Sequence, residues 1–273
     1  MSRHKQAECS GTARVHGESA MNGVKGMKGY DVFGSAYGCM CRRDPHALCS
    51  IDHELMRRMV RLDAQSQAEL YAAPGALPDM RGHELYGLAQ QLMGESPRES
   101  VRRALDMLSG IALKCDDDIG DMVFGGTERA ILARGTDWCA DMARVGAVLF
   151  MCMGIPARIV HLANLNKAYN GHVVAEAFYD GAWGVCDCIY GYMFYGKRPI
   201  GAWELMCEPE LMRPLTGDKR FDEYAGLYSA AAISDYDPTD VRNDYTESRA
   251  NEYTLRLIRE GANDGRWFMG EDE

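Results

Sequence analysis

The chain predicts an α+β fold on three observations. Helical periodicity dominates residues 51 to 115, a stretch apolar on nearly every side runs from 139 to 153, and β-rich segments around tight-turn residues fill 157 to 187. Helices that precede a run of hairpin-linked strands, instead of alternating with them, segregate into α+β packing. The expected core is therefore a buried helix packed on an antiparallel sheet, with a helical N-terminal part. Organisation follows the same reading: a weakly ordered segment over 1–37, then a single domain over 38–273 with a helical N-terminal extension.

Residues 1–37 are rich in Gly, Ser and Lys and carry no sustained periodicity. The spacing in IDHELMRRMVRLDAQSQAELYA predicts a helix over 51–72, which AAPGALP ends. MRGHELYGLAQQLMG predicts a second helix, and SPRESVRRALDMLSGIALKC a third. In the third, Ser96 is the N-cap, Pro97 takes the first helical position and Glu99 lies three residues after the cap. The stretch 115–137 reads as mostly loop, with a short helix in TERAILA. CADMARVGAVLFMCM, 139–153, is interrupted only by Asp141 and Arg144, so it is a central core helix. Gly154 suits its C-terminal turn and Pro156 forbids continuation. ARIVHLAN predicts a strand, and GHVVAEAFYDGAWGVCD predicts two strands around an Asp180-Gly181 turn. The tail from Phe221 carries scattered tyrosines and one further helix, about 248–260, closed by Gly261.

A chain of 273 residues, 47% hydrophobic and 26% charged, can bury a substantial core without disulfide staples. A net charge of -10, with no Lys/Arg cluster interleaved with aromatics, argues against nucleic acid or an anionic membrane as partner. No run reaches ~18 consecutive apolar residues, and the first residues lack the apolar core of a signal peptide. The 10 cysteines are accordingly expected as reduced thiols of a cytoplasmic protein.

Cys139 carries the chemistry. Thr136 or Asp137 can cap the helix and place Cys139 in its first turn, where unpaired N–H groups and the positive dipole end favour a thiolate. The Cys139 N–H would also serve as one oxyanion donor. A nucleophile needs a base, and His172 opens a strand at the sheet edge, where it can face a helix terminus. His161, inside the preceding strand, is the competitor. The base needs an orienting carboxylate. Asp187 ends the second strand of the hairpin, and the tight turn brings it to the same end as His172.

GTDWCADMARVGAVLFMCMGIPARIV followed by GHVVAEAFYDGAWGVCD resembles the core of the transglutaminase-like superfamily. The resemblance rests on Gly135 and Cys139, on Gly154 to Arg158, on His172 and Glu176, and on Gly181, Trp183 and Asp187, and it covers about residues 97–190. It implies a papain-like core with Cys139 as nucleophile, His172 as general base and acid, and Asp187 as orienter. It also implies acyl transfer through a thioester on a peptide or protein substrate, or a small amide. The acceptor is water in a protease or amidase and an amine in a transglutaminase. A non-catalytic binding protein of this fold and a peptide N-glycanase-like hydrolase are the alternatives.

Other features are weighed against solvation and packing. Trp138 is a candidate second oxyanion donor through its indole N–H, or a packing residue. Glu176 shares a strand face with His172 and is expected in a structural hydrogen bond or salt bridge. Cys39, Cys41, Cys49 and His53 offer S/N ligands, but their spacing is not that of a common zinc ribbon. Asp116, Asp117, Asp118 and Asp121 lack the EF-hand spacing. No metal and no cofactor are therefore expected. Aromatics of YGYMFYG, 190–196, line a substrate cleft or pack the core.

Overall fold

The computed structural model describes residues 60–112, 123–164, 171–234 and 248–249. In chain order the elements are β1 (Val60–Arg61), α1 (Gln67–Leu70), α2 (Tyr86–Leu92), α3 (Pro97–Ala112), β2 (Val123–Phe124), α4 (Glu128–Arg134) and α5 (Cys139–Cys152). Then come β3 (Ala157–Ala163), β4 (Gly171–Tyr179), β5 (Ala182–Asp187), β6 (Tyr192–Met193), α6 (Ala202–Cys207), α7 (Arg213–Leu227), β7 (Ala230–Ser234) and β8 (Ser248–Arg249). The fold is α+β. Its main sheet has the order β1-β7-β3-β4-β5-β6 with every neighbouring pair antiparallel.

The side-chain period of two divides this sheet into two buried faces. Ile159, Ala175, Ala177 and Cys186 pack into the cluster that holds α5, with Leu105 and Leu108 of α3. Val160, Leu162, Val174 and Val185 pack on the other side with Leu205 of α6 and with Phe221 and Tyr224 of α7. Helices thus cover both faces, and α5 is buried along nearly its whole length, as an all-round apolar helix requires. Among the described residues, no helix is long and apolar enough to cross a membrane.

Local signals account for several boundaries. Ser96 Oγ accepts the Glu99 N–H at 3.2 Å ahead of Pro97, while Glu99 reaches back to the N–H of Glu95 at 2.8 Å. Thr127 caps α4 by accepting the Ala130 N–H at 3.2 Å. The β4–β5 turn holds Asp180 at φ 49° and Gly181 at φ 78°, the two left-handed residues that a type I′ hairpin demands. Gly154, at φ 78°, follows the last turn of α5.

Three expectations are corrected. Of the expected helix over 51–72, residues 51–59 lie outside the described residues; in the described part only Gln67–Leu70 is helix, and Val60–Arg61 is an edge strand paired with Ile233 and Ala232. Asp63 and Ser66 explain the break. Asp63 Oδ1 accepts the Gln65 and Ser66 N–H groups at 2.9 and 3.0 Å, and Ser66 Oγ accepts the Asp63 N–H at 3.0 Å, so side chains take over helical donors. The expected C-terminal helix begins instead with two strand residues, Ser248–Arg249, paired with Val123–Phe124 in a stretch read as loop. The rest of that helix lies outside the described residues, as do segment 1–37, Cys39, Cys41, Cys49, His53 and the aspartates 116–118 and 121. The third correction is the cap of α5. Its N-cap is Trp138, which makes no side-chain cap bond, and Thr136 Oγ1 accepts the Trp138 N–H at 2.9 Å one step before the helix.

Candidate functional site

Cys139 is the first residue of α5 and is half-buried. The first intrahelical bond runs from the Met142 N–H to the Trp138 carbonyl at 3.0 Å. The N–H groups of Cys139, Ala140 and Asp141 therefore have no acceptor within the helix, and the positive end of the dipole falls at the thiol. Asp141, in the same turn, ties the helix start to the preceding loop. Its Oδ2 accepts the Gly125 N–H at 2.9 Å and an Arg134 N–H at 3.0 Å. Arg144 donates to the Gly126 carbonyl from one turn further on. The two polar residues in the otherwise apolar helix thus hold its N-terminal end in place.

His172 is the second residue of β4 and Asp187 the last of β5. Ala175 pairs with Cys186, so continuing that register sets Asp187 across from residue 174 and makes His172 its diagonal neighbour on one sheet face. His172 Nε2 lies 2.8 Å from Asp187 Oδ2. Cys139 is near enough to His172 to help raise its imidazole. Since Nε2 is committed to the carboxylate, Nδ1 is the nitrogen left for sulfur. The helix start and the strand start meet through this one ring.

Electrostatics follow from these contacts. Burial opposes a charged His172, but the Asp187 carboxylate and then the Cys139 sulfur outweigh it and raise the imidazole to about 10. His172 is thus an imidazolium at neutral pH. Asp187 is fully buried. Burial would raise its acid group, yet the His172 charge, the hydrogen bonds from His172 and Tyr224, and a backbone N–H hold it below the usual carboxylate value. Its donors are His172, the Tyr224 hydroxyl at 2.7 Å to Oδ2, and the Ile189 and Tyr190 N–H groups at 3.0 and 3.1 Å to Oδ1.

The remaining sequence candidates sort clearly. His161 lies on the opposite sheet face, since it pairs with Val173 while His172 pairs with Leu162. Its Nε2 is 3.0 Å from Ser234 Oγ, and burial depresses the ring to about 4. Glu176 is fully buried and ion-paired: Arg158 Nε donates to Oε2 at 2.8 Å, while the Tyr71 hydroxyl and the Ala202 N–H both donate to Oε1 at 2.7 Å. Of the 190–196 aromatics, Tyr190 borders the site, 5.8 Å from the His172 ring and 45% exposed, whereas Phe194 is core. The described cysteines, Cys139, Cys152, Cys186, Cys188 and Cys207, are all free thiols. Among the described residues, no group of three His, Cys, Asp or Glu side chains could hold a metal ion.

Tyr224 was not foreseen from sequence. It stands in α7 beyond a break at Gly217, whose φ of 64° and ψ of 165° interrupt the helical period that would have flagged it. The arrangement as a whole is a half-buried cysteine at a helix N-terminus, a protonated imidazole beside it and a buried carboxylate behind. It can form a thiolate nucleophile, donate one proton and take it back. Comparison with known proteins finds no matching family model, no matching curated protein and no matching solved structure.

Proposed function

We propose that this chain is a thiol-dependent acyl-transfer enzyme with a Cys139–His172–Asp187 triad on a transglutaminase-like core, acting on amide bonds of a peptide-like substrate. The observation that carries the reading is the His172 ring, bonded through Nε2 to Asp187 and near enough to Cys139 for that residue to act on it. The chain order also supports it: a nucleophile helix, then a base strand, then an orienter strand, antiparallel to each other and adjacent.

The chemistry follows from the geometry. The Cys139 thiolate attacks the substrate carbonyl carbon, forming a C–S bond while the oxygen takes the negative charge. The Cys139 N–H, without a helical acceptor, is positioned to donate to that oxyanion. Collapse expels the amine, which leaves with the proton from His172 Nδ1, and a thioester remains. An acceptor, water or an amine, then gives its proton to the neutral imidazole as its oxygen or nitrogen attacks the thioester carbon. Cys139 leaves as thiolate and His172 is again the imidazolium. Asp187 keeps Nε2–H pointed at itself throughout, so Nδ1 is always the nitrogen that works.

The test is covalent labelling. A peptide-like electrophile, or iodoacetamide where the cleft is narrow, should modify Cys139 faster than any other cysteine near neutral pH. The site is read by mass spectrometry of tryptic peptides. Cys139 reacting more slowly than Cys207, which is exposed, would defeat the nucleophile assignment and favour a binding role for the fold.

A further inference from the structure

The carboxylate oxygen that faces His172 also faces a phenol. We propose that Tyr224 is a positioning residue of this site: its hydroxyl fixes Asp187 Oδ2 in the direction His172 needs and takes up part of that oxygen's charge. The inference rests on the triad reading above and adds a fourth side chain to it.

Several observations carry it. Tyr224 is 4% exposed, and its hydroxyl is 2.7 Å from Oδ2, the same oxygen that lies 2.8 Å from His172 Nε2. The other oxygen, Oδ1, is taken by the Ile189 and Tyr190 N–H groups. With Oδ1 anchored to the main chain, rotation of the carboxylate is blocked from one side, and the phenol blocks it from the other. The ring itself cannot move away. It stands edge-on to Tyr192 at 5.5 Å and to His172 at 6.4 Å, and tilted against Phe194 at 6.1 Å. An ordinary core tyrosine needs only one partner for its hydroxyl. This one spends its hydroxyl on the one oxygen that orients His172.

The physical consequence has a sign. A donor that binds the charged form of a carboxylate stabilises that form. Removing the Tyr224 hydroxyl leaves Asp187 more basic, so it protonates at higher pH. While still ionised, it presents more of its charge to His172, so the imidazolium also persists to higher pH. Both transitions of the pair move upward. A more acidic phenol at the same place donates more strongly and moves both downward. The other titratable groups around the pair are Cys139 on α5, Cys186 and Cys188 on and after β5, Tyr190 after it and Tyr228 just after α7. Tyr190 is in turn faced by Arg220 and Glu223. Burial, first among the causes, pushes Cys186, Cys188, Tyr190 and Tyr228 up, so they stay neutral through the acid transition.

The experiment follows the His172 ring resonances of the full chain by NMR between acid and alkaline pH, with the signal assigned by its loss in His172→Gln. Tyr224→Phe should raise both midpoints by about half a unit. Replacement of Tyr224 by 3-fluorotyrosine, which keeps the shape and strengthens the donor, should lower them. Midpoints that match the wild type in both proteins would overturn the proposal and leave Tyr224 as core packing, even if Tyr224→Phe melts earlier. Should Tyr224→Phe fail to fold, the fluorotyrosine protein decides alone by the direction of its shift. Alkylation of Cys139 in the same wild-type sample separates the two readings. An unreactive Cys139 defeats acyl transfer, whereas the response of His172 to residue 224 still upholds or defeats the positioning role.

Discussion

Glu176→Gln separates a structural carboxylate from a catalytic one. Glu176 is fully buried, and each of its oxygens receives only donors: Arg158 at Oε2, and the Tyr71 hydroxyl and Ala202 N–H at Oε1. An amide must turn an NH2 group toward one of these sides, so at least one donor meets a donor. Loss of the charge also leaves the Arg158 guanidinium buried, stacked 4.0 Å over Trp183, without its counterion. Breaking a buried pair from one side costs about 3–5 kcal/mol. At about 2–4 °C per kcal/mol for a domain of roughly 150–250 residues, the midpoint should fall by about 6–20 °C. His172 is four residues away along β4, about 13 Å, so the site should be untouched at 25 °C. Thermal melts by circular dichroism read the first effect and the Cys139 alkylation rate reads the second. The double change Arg158→Met with Glu176→Leu should recover part of the loss, because no charge is then stranded. Recovery stays partial since the Tyr71 hydroxyl and Ala202 N–H lose their acceptor. A Glu176→Gln protein that is folded, melts normally and no longer labels at Cys139 would refute this reasoning and give Glu176 the acid–base role.

Three further outcomes are expected. In single-turnover acylation with a substrate found through the probe, Cys139→Ala and His172→Ala should abolish turnover or nearly so. Asp187→Asn should cost on the order of 10- to 1000-fold, because orientation and not proton transfer is lost. In a Cys139→Ala background, Asp187 still raises the His172 imidazole above its ordinary 6.5, so its stabilisation is present below pH 6.5 and fades as pH rises through the raised value. Urea unfolding should show that decline, and His172→Gln should flatten it. Gly146→Ala places a methyl 2.5 Å from Cys188 Sγ inside α5, and should destabilise by about 1–3 kcal/mol of overpacking, relieved by Cys188→Ala.

What could be read from sequence was local. The Asp180-Gly181 hairpin, the apolar helix after Trp138 and the Gly154 turn each depend on neighbours within a few residues, and each stands where the pattern put it. The hairpin register alone then brings His172 and Asp187 together. What could not be read depends on distant partners. Val60 and Arg61 carry a helical spacing but pair with Ile233 and Ala232, about as far apart in sequence as the described chain allows. Residues 248–249 are likewise drawn into pairing with 123–124. Tyr224 reaches Asp187 across 37 residues, from a helix broken at Gly217. Periodicity has no term for such contacts, so propensity is overridden where a sheet edge or a buried charge supplies a stronger partner.

Asp187 and Glu176 pose the sharper question of why, under the proposed function, one fully buried carboxylate would serve a reaction and the other the fold. They project from the same face of one hairpin, since Glu176 pairs with Val185 and Asp187 lies two residues on. Burial does not distinguish them, and neither lacks hydrogen bonds. Their cations do. An arginine side chain is not a proton donor in proteins, and the Arg158 guanidinium is fixed further by Trp183 and by a bond to the Leu70 carbonyl. A proton shared with Glu176 has nowhere to go, so that pair can only hold β3, β4 and the segment around Tyr71 together. His172 changes charge with one proton, and its nitrogen not bonded to Asp187 is free to serve the half-buried Cys139 nearby. The Asp187 pair is therefore open at one end. Exchanging the partners, with an arginine at 172, would keep a buried ion pair but could neither give a proton to the leaving amine nor accept one from the incoming nucleophile, so neither formation nor release of the thioester would proceed.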